Sequence, residues 1–260
     1  MTFETDPQSA INARPAATVI VFRRCPDGGA PQILMLIRSQ TMSFVAGAAV
    51  FPGGKVDPAD FELAARIPGL PDREEAAHRI AGIRETLEEA GLAIGLTAPV
   101  SAQDAAAARL MLHQGQTLDG VLAHFGWSLD LEALVPFARW MPHFKRGPIF
   151  DTRFYLADLG TGAVDIAVDG TENTRLFWTT ASNALAMADS GEIRAIFPTR
   201  RNLERLAQFT DFADARAHAT AIPVRTVTPW IAERDGEKFL RIAEDHGYPV
   251  CWGRLSEAAG

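Results

Sequence analysis

The apolar positions of this chain fall into two kinds of pattern. In "ATVIVFRR" (17–24) and "PQILMLIRS" (31–39) they run almost unbroken. Short apolar runs bounded by turn residues predict two buried strands, joined here as a hairpin through the turn-rich "CPDGGAP". "GAAVFPGGKV" (47–56) is a short apolar run closing on a double glycine, and residues 59–72 read as a loop with one helical turn. Residues 101–124 predict two helical segments. "FARWMPHF" and "DTRFYLADL" predict strands around the loop "KRGPI", and "DGTENTRLFWTT" a loop entering a further strand. "ASNALAMADSG" reads as a short amphipathic helix and "TRRNLERLAQFTDFADARAHA" as one longer helix starting after Pro198. The tail from Val224 predicts a strand, a turn at "RDGE" and another strand.

Between Asp72 and Gly91 the period changes to that of a helix. At about 100° per residue, Ala76, Ile80, Ile83, Leu87 and Ala90 form one core-facing stripe. Asp72 as N-cap with Glu75 three residues on makes a capping-box pattern, and Gly91 suits the left-handed position that ends a helix. Away from the stripe, Glu85, Glu88 and Glu89 crowd within one turn, with Ala81 and Gly82 a turn earlier and His78 before them. A glycine inside a helix costs about 1 kcal/mol relative to alanine. Gly82 therefore either leaves room for a ligand or allows close packing against a strand. The three carboxylates repel one another, and the negative end of the helix dipole aggravates this. Two remedies are open: a solvated face relieved by Arg84 and Arg79, or a hard divalent cation held by carboxylate oxygens. Spacing alone does not choose between them.

Composition narrows the partners. With 260 residues, 47% hydrophobic and 22% charged, the chain can bury a substantial core, and one domain with embellishments is expected. A net charge of −7 argues against a nucleic-acid surface, so any anionic ligand needs local cations or metal ions. Cys25 and Cys251 provide neither metal-ligand spacing nor a disulfide framework, which suits a reduced, cytoplasmic chain. The first residues lack a basic signal-peptide region, no apolar run reaches the ~20 residues of a membrane span, and "SEAAG" carries no lipidation address, so no membrane partner is expected.

"GGKVDPAD" (53–60) followed by "RETLEEAGL" (84–92) resembles the signature of the Nudix hydrolases: glycine, five residues, an acid, seven residues, then Arg-Glu, an apolar residue, any residue, Glu-Glu, any residue and Gly. Two departures stand out. Thr86 occupies a usually aliphatic position, and 23 residues separate Asp60 from Arg84, which places an insertion at about 61–76. Either Asp60 fills the first acid position, or an acid of the lengthened helix such as Glu75 does. The resemblance implies an α/β/α sandwich with a mixed sheet over about 15–190, and a helix-and-strand extension over about 191–260. It also implies metal-dependent hydrolysis of a diphosphate linkage with Mg²⁺ or Mn²⁺. Carried over by position, Glu85 and Glu89 are metal ligands, Glu88 joins them directly or through water, the Gly53 carbonyl completes the set, and Arg84 orients a glutamate. The general base is either a signature glutamate or an acid of a distant loop, with Glu172 first among these and Asp169 and Asp151 weaker.

"LMLIRSQTMSFVAGAAVFPGG" (34–54) resembles the motif preceding the signature in coenzyme A diphosphatases, with Arg38, Ser39, Gly47, Phe51, Pro52, Gly53 and Gly54 in register. Leu36 and Ser43 replace its threonine and its second arginine. The insertion and the landmarks Trp140, Pro142 and Phe150-Asp151-Thr152 resemble the acyl-CoA diphosphatase branch. Coenzyme A or its thioesters are thus the implied small-molecule substrate. Arg38 and Ser39 would bind it, and Lys145 and Arg146 would grip a 3′-phosphate, although a strand-end ion pair for Arg38 and a solvated loop for the basic pair are the plainer readings. Arg200 and Arg201 open a helix and are weaker candidates still. The rival readings are a Nudix pyrophosphatase acting on NADH, ADP-ribose or dinucleoside polyphosphates, and a non-catalytic nucleotide sensor. Sensors of this kind usually lose a metal carboxylate, and this chain keeps all three. Many relatives pair as homodimers, so a second copy is the implied partner.

Overall fold

The computed structural model describes residues 13–26, 28–40, 46–142, 148–160 and 173–255. Its central sheet is built on β1 (Arg14–Arg23), which pairs in parallel with β6 (Phe150–Asp158) along nearly its whole length. β2 (Gln32–Arg38) meets β1 as the expected antiparallel hairpin, but only at Phe22↔Ile33 and Arg23↔Gln32. Beyond that point the two strands part. The fork is filled by β3 (Ala49–Val50), which pairs with β2, and β4 (Gly53–Lys55), which pairs with β1. Phe51 and Pro52 therefore carry the chain from one side of the fork to the other, and the Pro52 carbonyl accepts from Val19 N–H at 2.8 Å. On the far edges, β7 (Asn173–Thr180) runs antiparallel to β2, β5 (Val135–Trp140) antiparallel to β6, and β8 (Thr226–Val227) parallel to β5. The sheet is mixed, as expected.

Alternation along the strands sorts their side chains to two faces. Val19, Val21, Leu34, Tyr155 and Ala157 enter one core, while Ile20, Phe22, Ile33, Met35, Phe154 and Leu156 enter the other. The first face is covered by α1 (Pro58–Arg66) and α2 (Arg73–Ala90); the second by α5 (Ala181–Asp189), α6 (Phe197–Leu206) and α7 (Phe212–Ala221). α3 (Ala102–His113) and α4 (Leu118–Phe125) make a smaller core with Leu87 of α2. β9 (Trp230–Arg234), β10 (Glu237–Arg241) and β11 (Trp252–Arg254) form a separate antiparallel sheet. No helix among the described residues is long and apolar enough to cross a membrane.

Three expectations are corrected. Residues 59–72 are not mainly loop: α1 is a nine-residue helix with Pro58 in its first turn and a reciprocal capping box between Asp57 and Asp60. The inserted residues thus supply the end of α1, a short link and the first turn of α2. The single long helix expected after Pro198 is two helices, because the chain turns at 207–211 and restarts with Asp211 capping Asp214 N–H. The tail adds a third strand, and its β8 pairs with β5 of the main sheet.

α2 begins and ends where the sequence indicates. Asp72 accepts from Glu75 N–H at 2.9 Å, and Gly91 takes the left-handed conformation with φ 71°. The return arm of the capping box is not made, since the Glu75 carboxylate is drawn to Arg79 and Arg153. Gly82 is a packing glycine: a Cβ there would lie 2.8 Å from Val19 Cγ2 of β1. Replacing Asp72 by alanine is expected to cost about 1 kcal/mol, which thermal unfolding would record as a Tm lowered by about 2–4 °C.

Candidate active site

The acidic turn of α2 faces protein rather than bulk water. Glu89 is 4% exposed and the Glu85 side chain 15%, with Glu88 the most open of the three at 24%. The solvated-face reading therefore fails for Glu85 and Glu89. Glu85 lies against the double glycine of β4, where a Cβ on Gly54 would fall 2.3 Å from Glu85 Oε1. Gly53 has equally little room, since a Cβ would meet the backbone of Ala17 and Thr18. Its N–H donates to Glu89 Oε2 at 2.8 Å, while Asn173 Nδ2 donates to Glu89 Oε1 at 3.0 Å. Glu89 thereby ties α2 to the fork turn and to the start of β7.

Arg84 organises the remainder. Its Nε and Nη2 grip both oxygens of Asp60, at 3.1 and 2.9 Å, a side-on fork that matches a carboxylate. Nη2 also donates to the Lys55 carbonyl, and Nη1 donates to Glu85 at 3.0 Å and Glu88 at 3.1 Å. Both Asp60 and Arg84 are buried. Of the two acids left open by the sequence, Asp60 is the one that meets Arg84. Glu75 instead joins Arg79 and Arg153. Arg79 does not relieve the acidic turn either, because it pairs with Glu75 and Glu132.

One guanidinium cannot neutralise this patch. Asp57, Asp60, Glu85 and Glu88 all surround Arg84, and Glu89 is close enough to act on Glu85. Burial above all, together with Glu89 and Glu88 and against the pull of Arg84, pushes the Glu85 carboxyl up to about 8. Burial likewise raises Glu88, with Arg84 and His113 opposing. Burial lowers the Arg84 pKa, but its bonds to Asp60 and its charge contacts with Glu85, Asp60 and Glu88 more than offset this. At the negative end of the helix, Arg109 of α3 donates to the carbonyls of Glu88 and Glu89 at 2.8 and 3.0 Å, which offsets the dipole there.

The other expected residues are distributed as follows. Arg38 ends β2, paired in register with Asn173 of β7, so the strand pairing sets it one residue pair from the Glu89 contact. Ser39 follows it. Asp151 is engaged by the Arg139 fork at 2.8 and 2.5 Å. Arg200 pairs with Asp189 and Glu204, and Arg201 with Glu204 and the Trp252 carbonyl. Neither is held ready for a phosphate. Lys145, Arg146, Glu172, Asp169 and Ser43 lie outside the described residues. Three site neighbours escape sequence reasoning: Asp57, Asn173 and Arg109. Only Asp57 carries a local signal, the Asp-Pro pair that opens a helix.

The donor set is one of hard oxygens with net negative charge and a glycine-made recess, which suits a hard divalent cation. As placed, no three His, Cys, Asp or Glu side chains among the described residues converge on one point. Glu85 and Glu88 are turned to Arg84, and Glu89 to Gly53 and Asn173.

No family model matches the chain. Over 280 aligned positions it is 25% identical to the acyl-coenzyme A diphosphatase of Gallus gallus, spanning 84% of this chain and 74% of that protein. A shorter stretch of 97 residues, 35% of each chain, is 34% identical to the mitochondrial coenzyme A diphosphatase of Homo sapiens. The crystal structure of a Nudix hydrolase from Alicyclobacillus acidocaldarius superposes with a TM-score of 0.68 at 29% identity, covering 79% of this chain and 96% of that one. Fold and relatives agree that the chain belongs to the Nudix hydrolase superfamily and is an enzyme of that class. Within the superfamily it is most like the coenzyme A and acyl-coenzyme A diphosphatase branch.

Two outcomes follow from the electrostatics. Asp60→Ala is expected to cost about 3 kcal/mol, the low end for a broken buried pair, because Glu85 and Glu88 still face Arg84; urea unfolding would show a lower midpoint at unchanged m. In the metal-free protein, the raised pKa of Glu85 makes its contribution to stability greatest below its ordinary 4.5 and lost as pH rises through about 8. Mg²⁺ uptake near neutral pH should then release close to a full proton, which calorimetric titration in two buffers of different ionisation enthalpy would read, and Glu85→Gln should abolish that release.

Proposed function

We propose that this Nudix hydrolase cleaves the diphosphate of coenzyme A or an acyl-coenzyme A, yielding 3′,5′-ADP and the (acyl)phosphopantetheine. The observation that carries this reading is the similarity to acyl-coenzyme A diphosphatases over 84% of the chain, which spans the inserted segment. The Arg38-Ser39 and Phe51-Pro52-Gly53-Gly54 residues that resemble the coenzyme A motif support it, since they bracket the fork beside the acidic turn.

The side chains of Glu85, Glu88 and Glu89 and the carbonyl of Gly53 would hold Mg²⁺ or Mn²⁺. Such an ion would supply charge neutralisation at the diphosphate oxygens and a lowered pKa for the attacking water. Arg84 is a positioning residue: anchored on Asp60 by Nε and Nη2, it presents Nη1 to Glu85 and Glu88 and limits their rotation. Asn173 and the Gly53 N–H do the same for Glu89. Burial holds the Glu85 carboxyl up at about 8, so a cation at this position would compete with its proton. Arg38, at the end of β2, is assigned to a substrate phosphate with Ser39 beside it, and Lys145 and Arg146 to the 3′-phosphate. Glu172, the residue before Asn173, is assigned as the base that takes the proton of the attacking water.

Incubation with Mg²⁺ or Mn²⁺ and a panel of coenzyme A, acyl-coenzyme A, NADH, ADP-ribose and dinucleoside polyphosphates tests the substrate. Release of 3′,5′-ADP is expected, and cleavage of NADH with coenzyme A untouched would overturn the assignment. Glu88→Gln and Glu89→Gln are each expected to lower kcat at least ~100-fold with an unchanged circular-dichroism spectrum, the scale of losing a group that acts on the reacting centre. Arg38→Ala should chiefly raise KM.

A further inference from the structure

The last turn of α2 carries Glu88 and Glu89, and a helix end leaves its final carbonyls without partners inside the helix. The Leu87 carbonyl accepts from Gly91 N–H at 3.0 Å, the bond made by a left-handed glycine at a helix end. The next two carbonyls are met from outside the signature. Arg109 of α3 donates through Nε to the Glu88 carbonyl at 2.8 Å and through Nη2 to the Glu89 carbonyl at 3.0 Å. The edge that Arg84 closes on Asp60 is closed by Arg109 on the backbone of two adjacent glutamates.

Packing holds α3 in this position. Ala105, Ala108 and Leu112 form a helical stripe buried with Leu87 and Val121. Arg109, next to Ala108 and half-buried, is thereby carried over Gly91, where a Cβ would lie 3.7 Å from Arg109 Cδ. Two sets of constraints meet on the same residues. Arg84 Nη1 holds the Glu88 side chain, and Gly53 N–H with Asn173 holds that of Glu89. Arg109 holds the peptide groups from which both side chains project.

Two effects of Arg109 on a cation oppose each other. Its charge repels the ion, while its fork fixes the backbone beneath two carboxylates. The negative end of the helix dipole, worth about half an elementary charge, offsets the repulsion, so the ordering effect is the larger. Arg84 competes with a cation for oxygens of Glu85 and Glu88, whereas these bonds of Arg109 go to carbonyl oxygens.

We propose that Arg109 is a positioning residue for cation binding, presetting the Glu88–Glu89 turn so that both carboxylates meet a divalent ion with little further ordering. This role rests on the reading of Glu88 and Glu89 as cation ligands and is independent of which diphosphate is cleaved.

Mn²⁺ is the probe, bound to the protein without substrate and followed through the electron paramagnetic resonance signal of the free ion. Arg109→Met is expected to raise the Mn²⁺ dissociation constant about 10-fold, the scale of losing a group behind a metal ligand. Arg109→Lys, which keeps the charge and loses the fork, should fall between Arg109→Met and the wild type. Asp72→Ala weakens the opposite end of α2 and should lower the Tm with Mn²⁺ affinity unchanged. An Arg109→Met affinity equal to or tighter than wild type would overturn the assignment, as would an equal loss in Asp72→Ala. If Arg109→Met fails to fold, Arg109→Lys decides, and an unchanged affinity there overturns it. Wild-type protein that takes up no Mn²⁺ would instead remove the cation site itself, and this role with it.

Discussion

Arg84 and Asp60 are 24 residues apart in sequence, nearly excluded from water, and joined by both nitrogens of one guanidinium edge. Much of the site is arranged around that contact. A buried ion pair contributes little net stability when its desolvation is counted, but removing either partner is severe, so the pair acts as a constraint more than as a source of energy. It fixes α1 against α2, and because the same guanidinium also reaches Lys55 O, Glu85 and Glu88, it holds β4 and the acidic turn in one frame.

That frame has a second anchor in Glu89. Gly53 in the fork and Asn173 at the start of β7 each donate to one of its oxygens, so the carboxylate spans the gap left where β1 and β2 part. The double glycine is needed for steric reasons. Backbone crosses so close to Ala17 and Thr18 that no side chain fits at Gly53, and a Cβ on Gly54 would displace the Glu85 carboxylate. The strongest concentration of negative charge in α2 therefore lies beneath a turn with almost no side-chain cover.

Legibility differed by element. The hairpin strands, the limits of α2 and its apolar stripe were readable, because each depends on neighbours in sequence: an unbroken apolar run, an Asp cap, a glycine with positive φ. α1 is hidden in the sequence, because "IPGLPD" follows it closely and its Asp57–Asp60 box uses two aspartates in place of the usual Ser/Thr and Glu. The break between α6 and α7 is hidden for the opposite reason. The composition of 197–221 favours helix throughout, and the turn becomes visible only with the packing of Phe209 beneath it.

From the sequence alone came the Nudix signature, the three glutamates and the arginine beside them, because that chemistry is encoded as spacing along one helix. The tertiary structure alone decided that Asp60 rather than Glu75 answers Arg84, that Gly82 is spent on packing against Val19, and that Arg109 and Asn173 belong to the site. The physical reason is common to all of these. Burial and long-range pairing set the charge state of a carboxylate and the partner of a guanidinium, and neither is a property of the residues adjacent in the chain.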